Sequence, residues 1–171
     1  MTALRGTALV LLLLLAAVLQ VSFFGFFTLD GVVPNLVLLV VVAVAIARGP
    51  DVAAPLGFLG GLVLDLAPPA DHVAGRWALA LVVAAYVAGR VRQDARRSTV
   101  VALVAVAAAS FLATSVFALS GMALGDTVVD PTAALRVVAV SVGYDLLLAP
   151  FVLPLVLRLL QVEQAQSRVA V

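Results

Sequence analysis

Apolar residues fill six long stretches of the chain, separated by short segments rich in glycine, proline and charge. The first stretch lies in a charge-free run from Gly6 to Leu29, and the fifth lies in another from Ser98 to Gly125. A spanning helix needs about 20 apolar residues, so both runs are long enough to cross a bilayer. The expected helices cover residues 7–27, 32–47, 52–67, 73–91, 99–124 and 133–160.

Three of these stretches leave alternatives open. The third and fourth give the weakest spanning signal, and they are predicted either as two short spanning helices or as a re-entrant hairpin. The first has some features of a signal peptide, because Arg5 precedes a leucine-rich run. Cleavage after Ala17 would place Leu15 where a small residue is needed, and the apolar run continues to Phe27. We therefore expect a retained anchor helix.

Composition indicates that the stretches lie in a membrane. Of the 171 residues, 65% are hydrophobic and 11% are charged, against about 45–50% and about 25% in soluble domains. We predict an all-α membrane protein, with a six-helix transmembrane domain over residues 1–161 and a short tail over 162–171. Cysteine is absent and His72 is the only histidine, which excludes a thiol nucleophile and a multi-histidine metal site. We expect no cofactor, no metal and, at a net charge of +1, no nucleic-acid partner.

The arginines give the expected orientation. All ten basic residues are arginine, and with six spans eight fall on one side, while Arg76 and Arg136 fall on the other. Cytoplasmic loops carry the excess of positive charge, so the eight-arginine side and both termini are predicted to be cytoplasmic. The opposite side receives Asp30, Asp71, Asp126 and Asp130. The eight are Arg5, Arg48, Arg90, Arg92, Arg96, Arg97, Arg158 and Arg168.

Four of these arginines, Arg90, Arg92, Arg96 and Arg97, lie in the loop between the fourth and fifth helices. We interpret this loop as an anchor near anionic lipid headgroups, with a docking patch for a cytoplasmic partner as the alternative. On the opposite side, the single loop histidine is interpreted as a solvated residue rather than a ligand.

Small residues in the third stretch predict a packing surface. Ala53, Gly57, Gly61 and Asp65 follow one another at four-residue spacing, with Gly60 beside them, and such a ridge lets another helix backbone approach closely. We expect Asp65 to lie near the outer interface, within reach of water, and to fix how this helix docks on its own bundle or on a partner. Similar ridges are Ala80, Ala84 and Ala88; Ala105, Ala109 and Ala113; and Ala139 with Gly143.

Asp145 is the deeper charge, in the segment "SVGYDLLLAPFVLP". Pro150 and Pro154 follow it and cannot donate backbone hydrogen bonds, so a kinked or locally open helix is expected. An acid inside the membrane marks a functional site by default. The alternative is a structural role, in which the carboxylate is bonded to Ser141, Tyr144 or an arginine.

A pair of intramembrane aspartates also raises the hypothesis of an aspartyl protease. The expected depths of Asp65 and Asp145 differ. The first motif reads Gly-Gly-Leu-Val-Leu-Asp rather than the Gly-x-Gly-Asp of intramembrane proteases. We therefore predict that the protein is not an enzyme.

The chain resembles the rod-shape-determining protein MreD family over nearly its whole length. The resemblance rests on "PNLVLLVVVAVAIARG", "GFLGGLVLDLA", "AGRWALALVVAAYVAGRV" and a final helix with Tyr144, Asp145 and prolines. It implies a multi-pass protein of the bacterial cytoplasmic membrane with a scaffold role in cell-shape maintenance and lateral peptidoglycan synthesis. The implied partners are the single-span protein MreC and, through it, the MreB filament, a SEDS glycosyltransferase and a class B penicillin-binding protein.

The resemblance also implies a fold similar to the six-helix substrate-binding subunits of energy-coupling-factor vitamin transporters. A vitamin-binding subunit is therefore the alternative function. It would require a polar, aromatic-lined pocket near the outer face, and aromatic residues make up 6% of the chain.

Overall fold

Helices make up most of the structure, a computed structural model that describes residues 3–29, 31–68, 72–125 and 131–169. A 3-10 turn, Phe24–Phe26, follows the first helix, and an isolated bridge joins Leu29 to Val32. The acidic residues Asp30, Asp71, Asp126 and Asp130 and the side chains of Arg5 and Arg168 lie outside the described part of the chain. The helices are α1 Ala3–Ser22, α2 Leu36–Arg48, α3 Pro50–Leu66, α4 Arg76–Arg90, α5 Arg92–Ala95, α6 Thr99–Ala123 and α7 Pro131–Val169.

Glycine and proline explain where the observed helices differ from the expected ones. Gly49 has a φ of +91° and separates α2 from α3, so that Pro50 can occupy the first turn of α3. Gly75 has a φ of +101° and precedes the first residue of α4, three residues later than predicted. The short helix α5 lies within the segment predicted as an arginine loop. α7 continues to Val169, into the segment predicted as a tail.

α2 is the centre of the bundle. Every residue from Leu36 to Ala47 is buried, and the helix contacts α1, α3, α4, α6 and α7. Its 13 residues rise about 20 Å, less than the about 30 Å of a hydrocarbon core. A helix with apolar residues on all faces is expected where neighbours cover every face, which is the arrangement found here.

The outer surface of the bundle is apolar, as expected for a protein that faces lipid. Large apolar side chains are exposed along α1 and α7, among them Leu11, Leu15 and Phe151. By length and composition, three helical segments of the described residues could cross a membrane: Gly6–Phe26, Thr99–Ala123 and Thr132–Gln161. The described chain is therefore an all-α membrane protein, as predicted.

Arginines collect at one end of the bundle. α5 contacts α2, and its Arg92 and Arg96 reach the last carbonyls of that helix. Arg97 lines a cavity shared with Leu157 and Leu160 of α7, which places Arg158 at the same end. We call this the arginine-rich end, and it includes Arg48 and Arg90. Arg76 is the first residue of α4 and Arg136 lies in the second turn of α7, both at the opposite end.

Candidate functional site

The glycine face of α3, formed by Ala53, Gly57, Gly61 and Asp65, is buried. It packs on α4 of the same chain rather than facing the exterior. A Cβ at Gly57 would lie 2.8 Å from the carbonyl oxygen of Leu81, and a Cβ at Gly61 would overlap the backbone nitrogen and Cα of Ala78. Because a side chain of any size would separate the two backbones, glycine is what permits this contact.

Gly60 belongs to another contact of the same helix. A Cβ there would lie 2.7 Å from Cγ1 of Val37 and 3.0 Å from Cδ1 of Leu13. α3 is therefore held closely on one side by α4 and on another by α2 and α1.

Asp65 caps the helix that follows it. Its Oδ2 accepts hydrogen bonds from the backbone N–H groups of Gly75 at 2.8 Å and Ala78 at 3.2 Å, and its Oδ1 accepts one from Trp77 at 3.0 Å. The first N–H groups of a helix have no partner within the helix and lie at the positive end of its dipole. The Asp65 carboxylate of α3 therefore gives the first N–H groups of α4 an acceptor and places a negative charge at the positive end of its dipole.

The expected setting of Asp65 near water is not what the structure shows. The residue is only 1% exposed, because α4 folds back over the end of α3. Nδ1 of His72 lies 3.7 Å from Oδ1 of Asp65. His72 is also not the solvated residue predicted for the loop. Its ring packs in a T-shaped arrangement with that of Phe117, and the two ring centroids lie 5.0 Å apart.

Asp145 plays the same part for the central helix. It is 1% exposed. Its Oδ1 accepts a hydrogen bond from the backbone N–H of Asn35 at 2.8 Å, and its Oδ2 accepts one from the Ser110 hydroxyl at 2.6 Å. The carboxylate thus joins α7 to the start of α2 and to the middle of α6.

The partners predicted for Asp145 were wrong. Ser141 donates its hydroxyl to the Val137 carbonyl one turn earlier, and Tyr144 donates to the Phe27 carbonyl at 3.2 Å. Neither side chain bonds to the carboxylate, because residues next to Asp145 or one turn away on α7 point elsewhere or bond to their own helix. The partners come from other helices, which spacing along α7 does not indicate.

Sequence reasoning missed three polar residues of this network. The Asn35 side chain accepts from Leu38 N–H at 2.9 Å, and Gln20 of α1 accepts from Val37 N–H at 3.2 Å. Together with Asp145, they satisfy the start of α2. Asn35 follows Pro34 and precedes an apolar run, which is a helix-start signal that could have been used. Nothing in the sequence singles out Gln20 or Ser110 beyond their being polar within apolar stretches.

Two arginines of the loop between the fourth and fifth predicted helices stabilise the end of α2. Arg92 donates to the Arg48 carbonyl at 3.4 Å, and Arg96 donates to the Ala47 carbonyl. Cations at the C-terminus of a helix satisfy unpaired carbonyls and interact well with its dipole. Arg90 is exposed and donates to the Tyr86 hydroxyl at 3.1 Å.

Two cavities of the described residues bear on function. One, of about 640 Å³, lies at the arginine-rich end and is lined by Pro150 among others. The second, of about 380 Å³, lies at the opposite end. Its wall includes Trp77 and Phe117, stacked at 4.5 Å. Arg76 lies outside that wall, with its guanidinium 4.1 Å from the centre of the Phe117 ring.

Ala139 and Gly143 form a small-residue surface that the bundle leaves open. Both are exposed, and a Cβ at Gly143 would meet no atom within 4 Å. The sequence assigned this pair to the same kind of ridge as the glycines of α3. In the structure no helix of the described chain covers it.

The arrangement of acids favours structure over chemistry. Each of the two buried carboxylates is bonded to the start of another helix, and each has a different set of partners. Within the described ranges, no group of three or more His, Cys, Asp or Glu residues could hold a metal ion. Both acids therefore act as links between helices in this structure.

One comparison with known proteins finds a family. A family model described as rod shape-determining protein MreD matches residues 2–161. No curated protein and no solved structure matches the chain. Because the family match covers nearly all of a chain whose buried acids link its helices, the chain belongs to the MreD family of rod shape-determining proteins.

Proposed function

We propose that the protein is a non-enzymatic component of the bacterial elongation machinery that scaffolds lateral peptidoglycan synthesis. It binds an MreC-like single-span protein and, through it, the MreB filament, a SEDS glycosyltransferase and a class B penicillin-binding protein. The family assignment supports a role in rod-shape determination. The observation that carries the scaffold role is that Asp65 and Asp145 both accept hydrogen bonds from backbone N–H groups at the start of other helices in the bundle. Both acids thus have a structural role in the bundle.

The proposal includes six spans in the cytoplasmic membrane with both termini in the cytoplasm. The arginine-rich end would face the cytoplasm by the positive-inside rule. The short helix α2 can contribute a span because neighbours cover all its faces, so its ends need not reach the lipid headgroups. A fold similar to energy-coupling-factor substrate-binding subunits remains part of this proposal.

We place the contact with the partner helix at Ala139 and Gly143 of α7. This surface offers exposed small residues at four-residue spacing within the candidate span Thr132–Gln161, and no helix of the described chain occupies it. Close backbone approach at such surfaces is the usual way in which two membrane helices pack. A single-span partner needs only one such surface.

A mild-detergent pull-down of tagged protein from native membranes tests the scaffold role. We expect an MreC-like single-span protein and cell-wall synthases to copurify. With Gly143→Leu the partner should be lost, because the new side chain holds a second backbone away. Gly6→Leu is the matched control, since Gly6 also faces open space but lies on α1. Equal recovery from both variants would remove α7 as the contact, and recovery of no cell-wall protein by the wild type would contradict the scaffold role.

A vitamin-binding subunit remains the second candidate because of one observation. The cavity of about 380 Å³ opposite the arginine-rich end combines Trp77, Phe117 and His72 with polar groups of Gln20 and Ser141. It lies within the usual volume range of small-molecule sites, about 300–1,000 Å³. Copurification of a coupling membrane subunit with two ATPases, or tight binding of a vitamin by the purified protein, would favour this function over the scaffold.

A further inference from the structure

The larger cavity opens at the arginine-rich end between four parts of the chain. Its volume is about 640 Å³, and it is bounded by the end of α2, by α5 and the turn after it, by the start of α6, and by α7. This is the volume of a small-molecule site. Nothing in the scaffold role requires it.

The wall of this cavity changes character along its length. One part carries Arg96, Arg97, Ser98 and Thr99, which supply charge and hydroxyl groups. The other part is formed by aliphatic side chains and by the rings of two prolines. These residues are Leu103, Ala149, Pro150, Leu153, Pro154 and Leu157.

Among the described residues, the charge at the polar part of the cavity is positive and no acidic side chain balances it. No Asp or Glu is among the lining residues that the structure describes. Arg96 donates to the Ala47 carbonyl, which is a neutral group, so its charge is not cancelled. Within the described part of the chain, the Arg97 guanidinium has no hydrogen bond or ion pair, and it is exposed. An anion would therefore complete this part of the cavity.

We propose that this cavity binds an anionic phospholipid from the leaflet at the arginine-rich end. The phosphate lies between Arg96 and Arg97, within reach of the Ser98 and Thr99 hydroxyls, and an acyl chain lies along Leu103, Leu153 and Leu157. Basic pockets between membrane helices recognise acidic headgroups in this way. The pairing of a cationic part with an aliphatic part fits a lipid better than a soluble anion, which would leave the aliphatic part empty.

The site goes beyond the proposed function and can fail independently of it. A bound lipid would fill the space between α6 and α7 where Pro150 and Pro154 remove backbone donors. It would then act as a structural ligand that couples α7 to the rest of the bundle.

Native mass spectrometry of the purified, delipidated full chain tests the proposal. The probes are phosphatidylglycerol, phosphatidylethanolamine and soluble glycerol 3-phosphate. We expect phosphatidylglycerol to bind at least about tenfold more tightly than phosphatidylethanolamine, because both carry the phosphate but the ammonium of phosphatidylethanolamine places another positive charge beside the two arginines. Equal binding of the two lipids would overturn the site. Binding of glycerol 3-phosphate as tight as that of phosphatidylglycerol would assign the cavity to a soluble anion and also overturn it.

Arg97→Gln tests the headgroup contact, with Arg90→Gln as its matched control. Both substitutions remove one positive charge from the same end of the bundle, but only Arg97 lines the cavity. We expect the affinity for phosphatidylglycerol to fall about tenfold in Arg97→Gln and to stay unchanged in Arg90→Gln. Equal losses would mean that the lipid responds to overall charge and not to this cavity.

Leu157→Trp tests the acyl-chain contact while both arginines remain. The larger ring should fill the aliphatic part and abolish phosphatidylglycerol binding in protein that elutes as the wild type does. Retained binding in that protein would overturn the placement of the chain. Should this variant fail to fold, the Arg97 comparison decides the proposal by itself.

Discussion

Two surfaces of the bundle have the same sequence pattern and opposite surroundings. On α3, Gly57 and Gly61 lie against the backbone of α4, with no space for a side chain. On α7, Ala139 and Gly143 have the same spacing, and Gly143 faces open space. Small-residue spacing therefore indicates where the backbone of another helix can approach, but not whether that helix belongs to the same chain.

Chain connectivity explains which surface is filled. α4 begins ten residues after α3 ends and folds back along it, and Asp65 fixes the start of α4 through three N–H groups. The neighbour of the α3 glycines is thus built into the hairpin. α7 contacts α2 and α6 through its other faces. Its Ala139–Gly143 surface has no such neighbour among the described residues.

The largest expected effect comes from a bulky residue on the filled surface. Gly61→Leu would force apart the backbones of α3 and α4 at Ala78. Overpacking usually costs about 1–3 kcal/mol, and overlap with backbone cannot be relieved by rotamer changes, so we expect a loss of at least about 3 kcal/mol. The measurement is unfolding by SDS titration in mixed micelles, with size-exclusion chromatography to count folded protein.

Gly143→Leu is the control for that measurement, because it introduces the same side chain at the same spacing on the open surface. It should be at least as stable as the wild type, because the new side chain meets open space and leucine has a higher helix propensity than glycine. If both variants unfold alike, the contrast between the two surfaces is not real.

The second effect concerns the carboxylate that closes the α3–α4 contact. Asp65→Ala leaves three N–H groups at the start of α4 without their acceptor, and we expect a loss of about 2–3 kcal/mol. Asp65→Asn keeps one acceptor oxygen and should lose about half as much. The same SDS titration compares them. A larger loss of stability for Asp65→Asn than for Asp65→Ala would show that Asp65 does not stabilise the bundle by accepting from these N–H groups.

Composition and the length of the apolar runs predicted the helical membrane class directly, because each run decides locally whether its own segment forms an apolar helix. They did not predict the arrangement of polar residues. The structural role expected for Asp145 had its carboxylate bonded to Ser141, Tyr144 or an arginine, whereas its partners, Asn35 and Ser110, lie 110 and 35 residues away. Such contacts depend on which helices become neighbours, and helix neighbours in membranes are chosen by many weak packing contacts that one sequence does not rank.

The third prediction separates the contacts of Asp145. Asp145→Ala removes the acceptor from the start of α2 and from Ser110, and we expect a loss of about 1–2 kcal/mol. Ser110→Ala alone should cost less. The double variant should be no less stable than Asp145→Ala, since the Ser110 hydroxyl acts through the carboxylate. A double-mutant cycle measures this coupling, and strict additivity would contradict the bond.

The smallest effect is also the most specific test of the comparison, because it differs in sign between the two surfaces. Gly57→Ala places a methyl group 2.8 Å from the Leu81 carbonyl oxygen, so it should destabilise the bundle. Gly143→Ala adds the same methyl group in open space within a helix, where alanine is favoured over glycine by about 0.5–1 kcal/mol. It should therefore stabilise the isolated protein by that amount. In the complex with a partner helix, Gly143→Ala should instead be destabilising, because the methyl group would then meet the partner's backbone. Measuring the effect of Gly143→Ala on stability with and without the copurified partner would show whether another chain covers the α7 surface.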